Sequence, residues 1–190
     1  MDYFKINENV EQYLEMTADY DASFIVNKIL TVLPQGSSLL ELGMGPGKDL
    51  EELAKYYQVT GSDYSDIFVK KFNERQTKLH AIVLDAIKMN TDLMFDCIYS
   101  NKVLHHLSRE DFKVSLRNQH RHLTKDGIIF MTLWRGEYKE EVMFDGTFRF
   151  SYYLEEDIED LVADNYDIIS METYEEFEPN DSLIIVLKMR

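Results

Sequence analysis

Three closely spaced glycines mark the first place where this sequence could do chemistry. Leu39-Leu40-Glu41-Leu42-Gly43-Met44-Gly45-Pro46-Gly47-Lys48-Asp49 leaves an apolar run, turns through the glycines and enters a helical pattern. Glycine lets a backbone approach a ligand with no side chain between them, and open parallel sheets hold ligands beyond the carboxyl ends of their strands. Asp63, about 20 residues beyond Gly43 and at the end of the next apolar run, is placed to accept hydrogen bonds from ribose hydroxyls. Together these residues predict a site for an adenosine-containing cofactor. A phosphate-cradling P-loop would need glycine at position 42 and a hydroxyl residue at position 49, where this chain has Leu42 and Asp49. A dinucleotide fingerprint would need its third glycine at position 48, which Lys48 occupies. Asp49 itself is expected to cap or charge the N-terminus of its helix.

A second group is Asn101, His105 and His106, which follow the strand-like run Phe95-Asp96-Cys97-Ile98-Tyr99-Ser100. A histidine there is the best available general base, because its charge changes near neutral pH. A third group is aromatic: Trp134, Tyr138, Phe144, Phe148, Phe150, Tyr152 and Tyr153 crowd into one short segment. Phe148, Phe150 and Tyr152 alternate with Thr147, Arg149 and Ser151, so one face of an extended segment either lines a substrate pocket or packs into ordinary core. Trp134, Phe148, Phe150 and Tyr152 are the substrate-side candidates. Arg135 and Arg149 are expected to pair with carboxylates, and Tyr13 and Tyr20 either cap the cofactor or pack helices.

Positioning these groups requires a particular order of elements. Apolar runs predict buried strands at Ser38 to Leu42, Gln58 to Ser62, His80 to Leu84, Phe95 to Ser100 and Gly127 to Leu133. Helical periodicity predicts helices at Asp49 to Tyr56, Ser65 to Asn73 and Arg109 to His122, with a short turn near Ile87. Ser108 and Asp111 resemble a capping box at the start of the last helix. Two further helices, Val10 to Ala18 and Ala22 to Leu33, precede the first strand and are expected to pack over the sheet's functional end. A helix through Leu154, Ile158, Leu161 and Val162 is followed by strands at Tyr166 to Tyr174 and Ser182 to Met189. The turn Glu178-Pro179-Asn180-Asp181 between those strands favours an antiparallel hairpin.

Four segments in this order resemble the motifs of class I S-adenosylmethionine-dependent methyltransferases. Glu41-Leu42-Gly43-Met44-Gly45-Pro46-Gly47 is similar to the acidic glycine-rich first motif, and Gly61-Ser62-Asp63-Tyr64-Ser65 to the second. Leu84-Asp85-Ala86 is similar to the segment after the third strand. The run from Phe95 through Ser100-Asn101 to Leu104-His105-His106-Leu107 resembles the fourth motif in the form typical of small-molecule methyltransferases. The resemblance implies a Rossmann-like, doubly wound α/β fold, its mainly parallel seven-stranded sheet ending in an antiparallel hairpin. It implies one methyltransferase domain over residues 1–190, divided into a helical cap (1–37), a cofactor-binding core (38–134), a substrate-side insertion (135–153) and a closing helix with hairpin (154–190). It further implies S-adenosylmethionine as cofactor, with Glu41, Gly43, Gly45, Gly47 and Asn101 around it. Asp63 with neighbouring Tyr64 would hold the ribose, and Asp85 with Ala86 the adenine. Transfer would be a direct displacement to a small-molecule acceptor, without a metal. In this family form His105 and His106 act as base, stabilise their loop or line the cofactor site. No Asn/Asp-Pro-Pro-Tyr segment follows the fourth strand, which argues against methyltransferases acting on amides and exocyclic amines.

Composition narrows the alternatives. With 190 residues, of which 45% are hydrophobic, the chain can bury a core without staples, and its single Cys97 has no internal disulfide partner and reads as a core thiol. Thirty-five acids against 20 Lys and Arg give a net charge of −15, which repels phosphate backbones and argues against a nucleic-acid partner. The acidic group from Glu155 to Asp160 reads as a solvated helix face. No segment approaches membrane-spanning length and no cleavable leader is visible, so a soluble, cytoplasmic protein without a membrane partner is expected; the oligomeric state is left open. The competing functions are a non-catalytic cofactor-binding protein, a methyltransferase acting on a protein and, as an outsider, a dehydrogenase.

Overall fold

The computed structural model describes residues 3–75, 78–143 and 148–190. Phe144 and Thr147 lie outside the described residues. Strands β1 (Ser38–Leu42), β2 (Gln58–Asp63), β3 (Ala81–Val83), β4 (Phe95–Asn101) and β5 (Leu123–Trp134) run parallel. With β8 (Tyr166–Tyr174) and β9 (Ser182–Met189) they form a seven-stranded sheet of order β3-β2-β1-β4-β5-β9-β8. β9 is antiparallel to both β5 and β8, so the terminal hairpin closes the sheet as expected.

Alternation along the strands explains why both faces are covered. Leu40, Leu42, Ile98, Ile129 and Met131 meet helices α5 (Arg109–His120) and α6 (Glu155–Val162) on one side. Leu39, Cys97, Tyr99 and Phe130 meet α2 (Ser23–Leu30) on the other. Adjacent residues of a strand point to opposite faces, and here both sets are apolar, as a doubly covered sheet requires. A smaller cluster of Met44, Leu50, Val69, Phe72 and Ala81 packs α3 (Lys48–Leu53) and α4 (Asp66–Glu74) against the β2–β3 end.

Several boundaries move. α3 stops at Leu53, short of Tyr56. β5 begins at Leu123, not Gly127, after a register shift between Phe95 and Cys97. Its first turn of sequence, Thr124-Lys125-Asp126, is polar and carries no apolar signal. Ser108 caps α5 by accepting from the Asp111 N–H at 3.1 Å, while its hydroxyl donates to the Asp111 carboxylate at 2.8 Å. The aromatic insertion is a separate antiparallel pair, β6 (Lys139–Met143) with β7 (Phe148–Tyr152). Of the two N-terminal helices, α1 (Asn7–Met16) reaches the functional end through Tyr13, whereas α2 covers a face of the sheet. No described helix is long and apolar enough to cross a membrane.

Candidate functional site

Strand order reverses between β1 and β4, and the crevice outside their carboxyl ends is where such sheets bind ligands. A cleft of about 260 Å³ opens there. Gly43, Gly45, Asp63, Tyr64, Asp85, Ala86 and Asn101 all border it, together with His106 and Phe148. Residues from four strand ends, up to 58 positions apart in the chain from Gly43 to Asn101, are thus brought to one cavity. Glu41, Gly47, His105, Trp134, Phe150 and Tyr152 do not border it.

The glycine loop is shaped by backbone that other residues rarely adopt: φ is 67° at Gly43, 49° at Gly45 and 81° at Gly47. A Cβ on Gly43 would stand 2.6 Å from a Val103 methyl, and one on Gly47 would run into the Phe72 ring. At Gly45 it would meet only Tyr13 Cε1, at 3.6 Å, which leaves that position facing the open cleft. Asp63 pins the loop by accepting from the Gly45 N–H at 2.9 Å and the Ser65 N–H at 2.8 Å. Burial nevertheless pushes its carboxyl up to about 6.

Two further carboxyl groups lie beneath the loop. Glu41 is 2% exposed and its Oε2 has no hydrogen-bond partner. Burial, reinforced by Asp49 and Asp63, holds its carboxyl well above the usual range. Asp49 sits in the first turn of α3, as expected, but its carboxylate is turned inward. Its Oδ2 accepts from the Tyr99 hydroxyl at 2.5 Å and Asn101 Nδ2 at 3.0 Å, leaving Oδ1 buried and unpartnered. Burial raises this carboxyl too, partly offset by those bonds. Asn101 Nδ2 also donates to the Tyr20 hydroxyl at 2.9 Å, so Tyr20 packs against the site's edge. Tyr13 borders the cleft, its hydroxyl pushed up by burial and then by Asp63 and Asp49.

The nearest cation is already engaged. Lys102, with φ of 54°, directs its ammonium onto the Trp134 ring at 3.4 Å and donates to Ser182 Oγ at 2.6 Å and to the Leu133 carbonyl at 3.1 Å. Burial lowers it to about 8. Arg135 and Arg149 pair with Glu155 and Glu140, as expected of them. The cleft's own lining carries two acids, Asp63 and Asp85, against the single ammonium of Lys102, an excess that suits a cationic ligand. Orphaned buried carboxyl oxygens, a loop open at Gly45 and an excess of acids in the lining all fit S-adenosylmethionine, which carries positive charge on its sulfonium and its α-ammonium group.

The paired histidines have different surroundings. His105 is 1% exposed, has no partner on either ring nitrogen, and is driven well below its ordinary pKa by burial and by His106. It stacks on Phe150 at 5.5 Å, behind the cleft wall. His106 borders the cleft, and its Nδ1–H donates to the Arg149 carbonyl at 2.7 Å. That bond fixes the tautomer and leaves Nε2 as the basic nitrogen. Burial lowers the ring to about 4, so it is neutral at pH 7. Phe148 packs on His106 at 4.2 Å and on Phe4 at 5.4 Å. Trp134 is held between Lys102 and Phe177, and Tyr152 lies under Lys139.

Phe4 and Tyr3 also border the cleft, and Phe4 joins Tyr13, Phe68 and Phe148 in one aromatic cluster. No motif or period in the sequence pointed to them. Val103 and Leu107, by contrast, lie inside the fourth motif and complete the wall.

Residues 40–131 match the family model described as a methyltransferase domain. No curated protein matches the sequence. Among solved structures, a Burkholderia thailandensis 1,6-didemethyltoxoflavin-N1-methyltransferase superposes with a TM-score of 0.78 at 15% identity, covering 96% of this chain and 84% of its own. A glycopeptide N-methyltransferase, MtfA, gives 0.74 at 15% identity, covering 90% and 91%. An S-adenosylmethionine-dependent methyltransferase from Clostridium acetobutylicum gives 0.70 at 18%, covering 96% and 98%. These likenesses establish the Rossmann-like methyltransferase fold. Residues 40–131 are thus similar to a methyltransferase domain, and the chain around them has the Rossmann-like fold shared by S-adenosylmethionine-dependent methyltransferases.

Proposed function

We propose that this protein methylates a small-molecule acceptor, with His106 receiving the acceptor's proton. The observation that carries this is the meeting, in one cleft, of the ordered glycine loop, the strand-end acids and a tautomer-fixed neutral histidine. Asp63 with Tyr64 is assigned to the ribose, Asp85 with Ala86 to the adenine, and Glu41 and Asn101 to the amino-acid end. Gly43 and Gly47 shape the loop, and Gly45 admits the ligand.

The chemistry S-adenosylmethionine supplies when bound is a methyl group already activated on sulfonium sulfur, so the scheme uses no metal. The chain's residues align and desolvate the reactants and move one proton. A base lowered to about 4 does not ionise a neutral N–H or O–H in advance. His106 Nε2 instead takes the proton as the acceptor gains its methyl group and becomes acidic, then releases it to water. Phe148, with Phe4 and Tyr3, forms the apolar wall against which the acceptor lies. Phe150 backs that wall through Phe148 at 5.1 Å, and Trp134 packs on His105 behind it at 6.2 Å. A net charge of −15 weighs against RNA as acceptor. The 1,6-didemethyltoxoflavin and glycopeptide for which the neighbours above are named are consistent with a small acceptor.

Calorimetric titration with S-adenosylhomocysteine tests the cofactor assignment, and no binding at high micromolar ligand would overturn it. Screening acceptors for methyl incorporation then tests the transfer. Cofactor binding without transfer to any small molecule, alongside transfer to a protein, would overturn the acceptor class.

A further inference from the structure

Helix α5 buries Phe112, Ser115, Leu116 and Gln119, the spacing of a core-facing stripe. Two of these four positions are polar although both are 0% exposed. A buried hydroxyl or amide is costly unless hydrogen-bonded, so the bonds these two make show what the stripe gives up apolar packing for. Gln119 Nε2 donates to Ser115 Oγ at 2.9 Å, and the Ser115 hydroxyl donates to the Ala86 carbonyl at 2.7 Å.

The Ala86 carbonyl and the Ile87 N–H are the two ends of one planar peptide unit. That N–H donates to Asp85 Oδ1 at 2.8 Å. An unbroken chain therefore runs from Gln119 through Ser115 and a single rigid peptide to the carboxylate of Asp85. Asn118 Nδ2 holds the next carbonyl, that of Ile87, at 2.7 Å. Bonds in such a series polarise and strengthen one another. With Oδ1 committed, Asp85 presents Oδ2, whose nearest charged neighbour is the Lys88 ammonium at 3.8 Å.

We propose that Ser115 and Gln119 are positioning residues for adenine recognition: through the Ala86–Ile87 peptide they fix the orientation in which Asp85 meets the purine's 6-amino group. The inference rests on the assignment of Asp85 and Ala86 to the adenine end of the cleft. It goes beyond that assignment in making selectivity for a 6-amino over a 6-oxo purine depend on a helix that does not touch the ligand.

The test compares affinities for S-adenosylhomocysteine and its 6-oxo analogue S-inosylhomocysteine. The unmodified enzyme binds the first more tightly. Ser115→Ala removes the central link and is expected to shrink that preference about fivefold, the worth of one buried hydrogen bond. Gln119→Leu fills the same space without the amide donor and is expected to shrink it about twofold by weakening the serine's bond. Gln119→Leu carries the test if Ser115→Ala fails to fold. A folded variant that weakens both ligands equally, or neither, would show the two residues to be core packing and overturn the inference. An unmodified enzyme that binds both ligands equally would overturn the Asp85 assignment and the inference together. One that binds neither would overturn the cofactor assignment itself.

Discussion

Substituting the glycines of the loop separates the ones that shape it from the one that admits the ligand. Gly36 calibrates the comparison: its φ is 85°, a Cβ there meets nothing within 4 Å, and it lies at the opposite end of β1 from the cleft. Gly36→Ala therefore reports the backbone cost alone, about 1–2 kcal/mol for an L-residue held left-handed. For a chain of this size that is a fall in melting temperature of about 2–8 °C. Gly45→Ala should cost the same, because its Cβ meets only Tyr13 at an ordinary contact distance of 3.6 Å. Gly43→Ala adds a collision with Val103 at 2.6 and 2.8 Å, and Gly47→Ala one with Phe72, so each should lose about 1–3 kcal/mol more. Cofactor affinity should follow the reverse order. In Gly45→Val the branched side chain extends into the cleft, and overpacking of about 1–3 kcal/mol against the ligand weakens S-adenosylhomocysteine binding by about 5- to 150-fold. Thermal melts followed by calorimetric titration measure both quantities on the same samples. A folded Gly45→Val protein with near-normal affinity would show that the ligand lies elsewhere. A Gly45→Ala protein as unstable as Gly43→Ala would show that the loop's surroundings are packed and not open.

The histidines and the strand-end acids yield two more expectations. His106→Gln should reduce turnover by about 10²- to 10⁴-fold with little change in S-adenosylhomocysteine affinity. His105→Leu, which removes two unpartnered buried nitrogens, should leave turnover close to normal; equal losses in the two variants would refute the division of roles. Asp63 is raised to about 6 in the free protein by burial. Its ionised form is the better acceptor for ribose hydroxyls, so affinity should grow from pH 5 to pH 7, by up to about tenfold per unit below pH 6. The sign for the unliganded fold is opposite: a raised carboxyl contributes stability below its unfolded pKa, lost as pH rises through about 6. Titrations at three pH values with Asp63→Asn as control check this, and a flat profile in the unmodified enzyme would refute it.

What the sequence made visible follows from where the physical signal is local. The glycine loop, Asp63 and Asp85 could be placed because each ends or follows an apolar run, and the ends of parallel strands meet by topology. Ser108 could be read as a cap because capping is settled within four residues. The difference between His105 and His106 could not, since it depends on the Arg149 carbonyl in a strand 43 residues away. Nor could Asp49's inward turn, which depends on Tyr99 and Asn101 across the sheet. The alternation of Phe148, Phe150 and Tyr152 did announce an extended segment. Only its packing decides that Phe148 faces the cleft while Phe150 backs the histidines.

The placement of β9 between β5 and β8 also bears on how the protein is made. β5, with Ile129, Phe130, Met131 and Leu133 buried on its two faces, is finished at Trp134, but its outer hydrogen-bonding edge is satisfied only by a strand that begins at Ser182. At ordinary rates of synthesis the intervening stretch takes roughly 2–10 s to translate. During that interval the nascent chain displays an apolar strand with one open edge, the feature most apt to recruit another chain. The sheet is sealed from its middle and not from its rim, so the window for misassembly closes only when β9 inserts between β5 and β8.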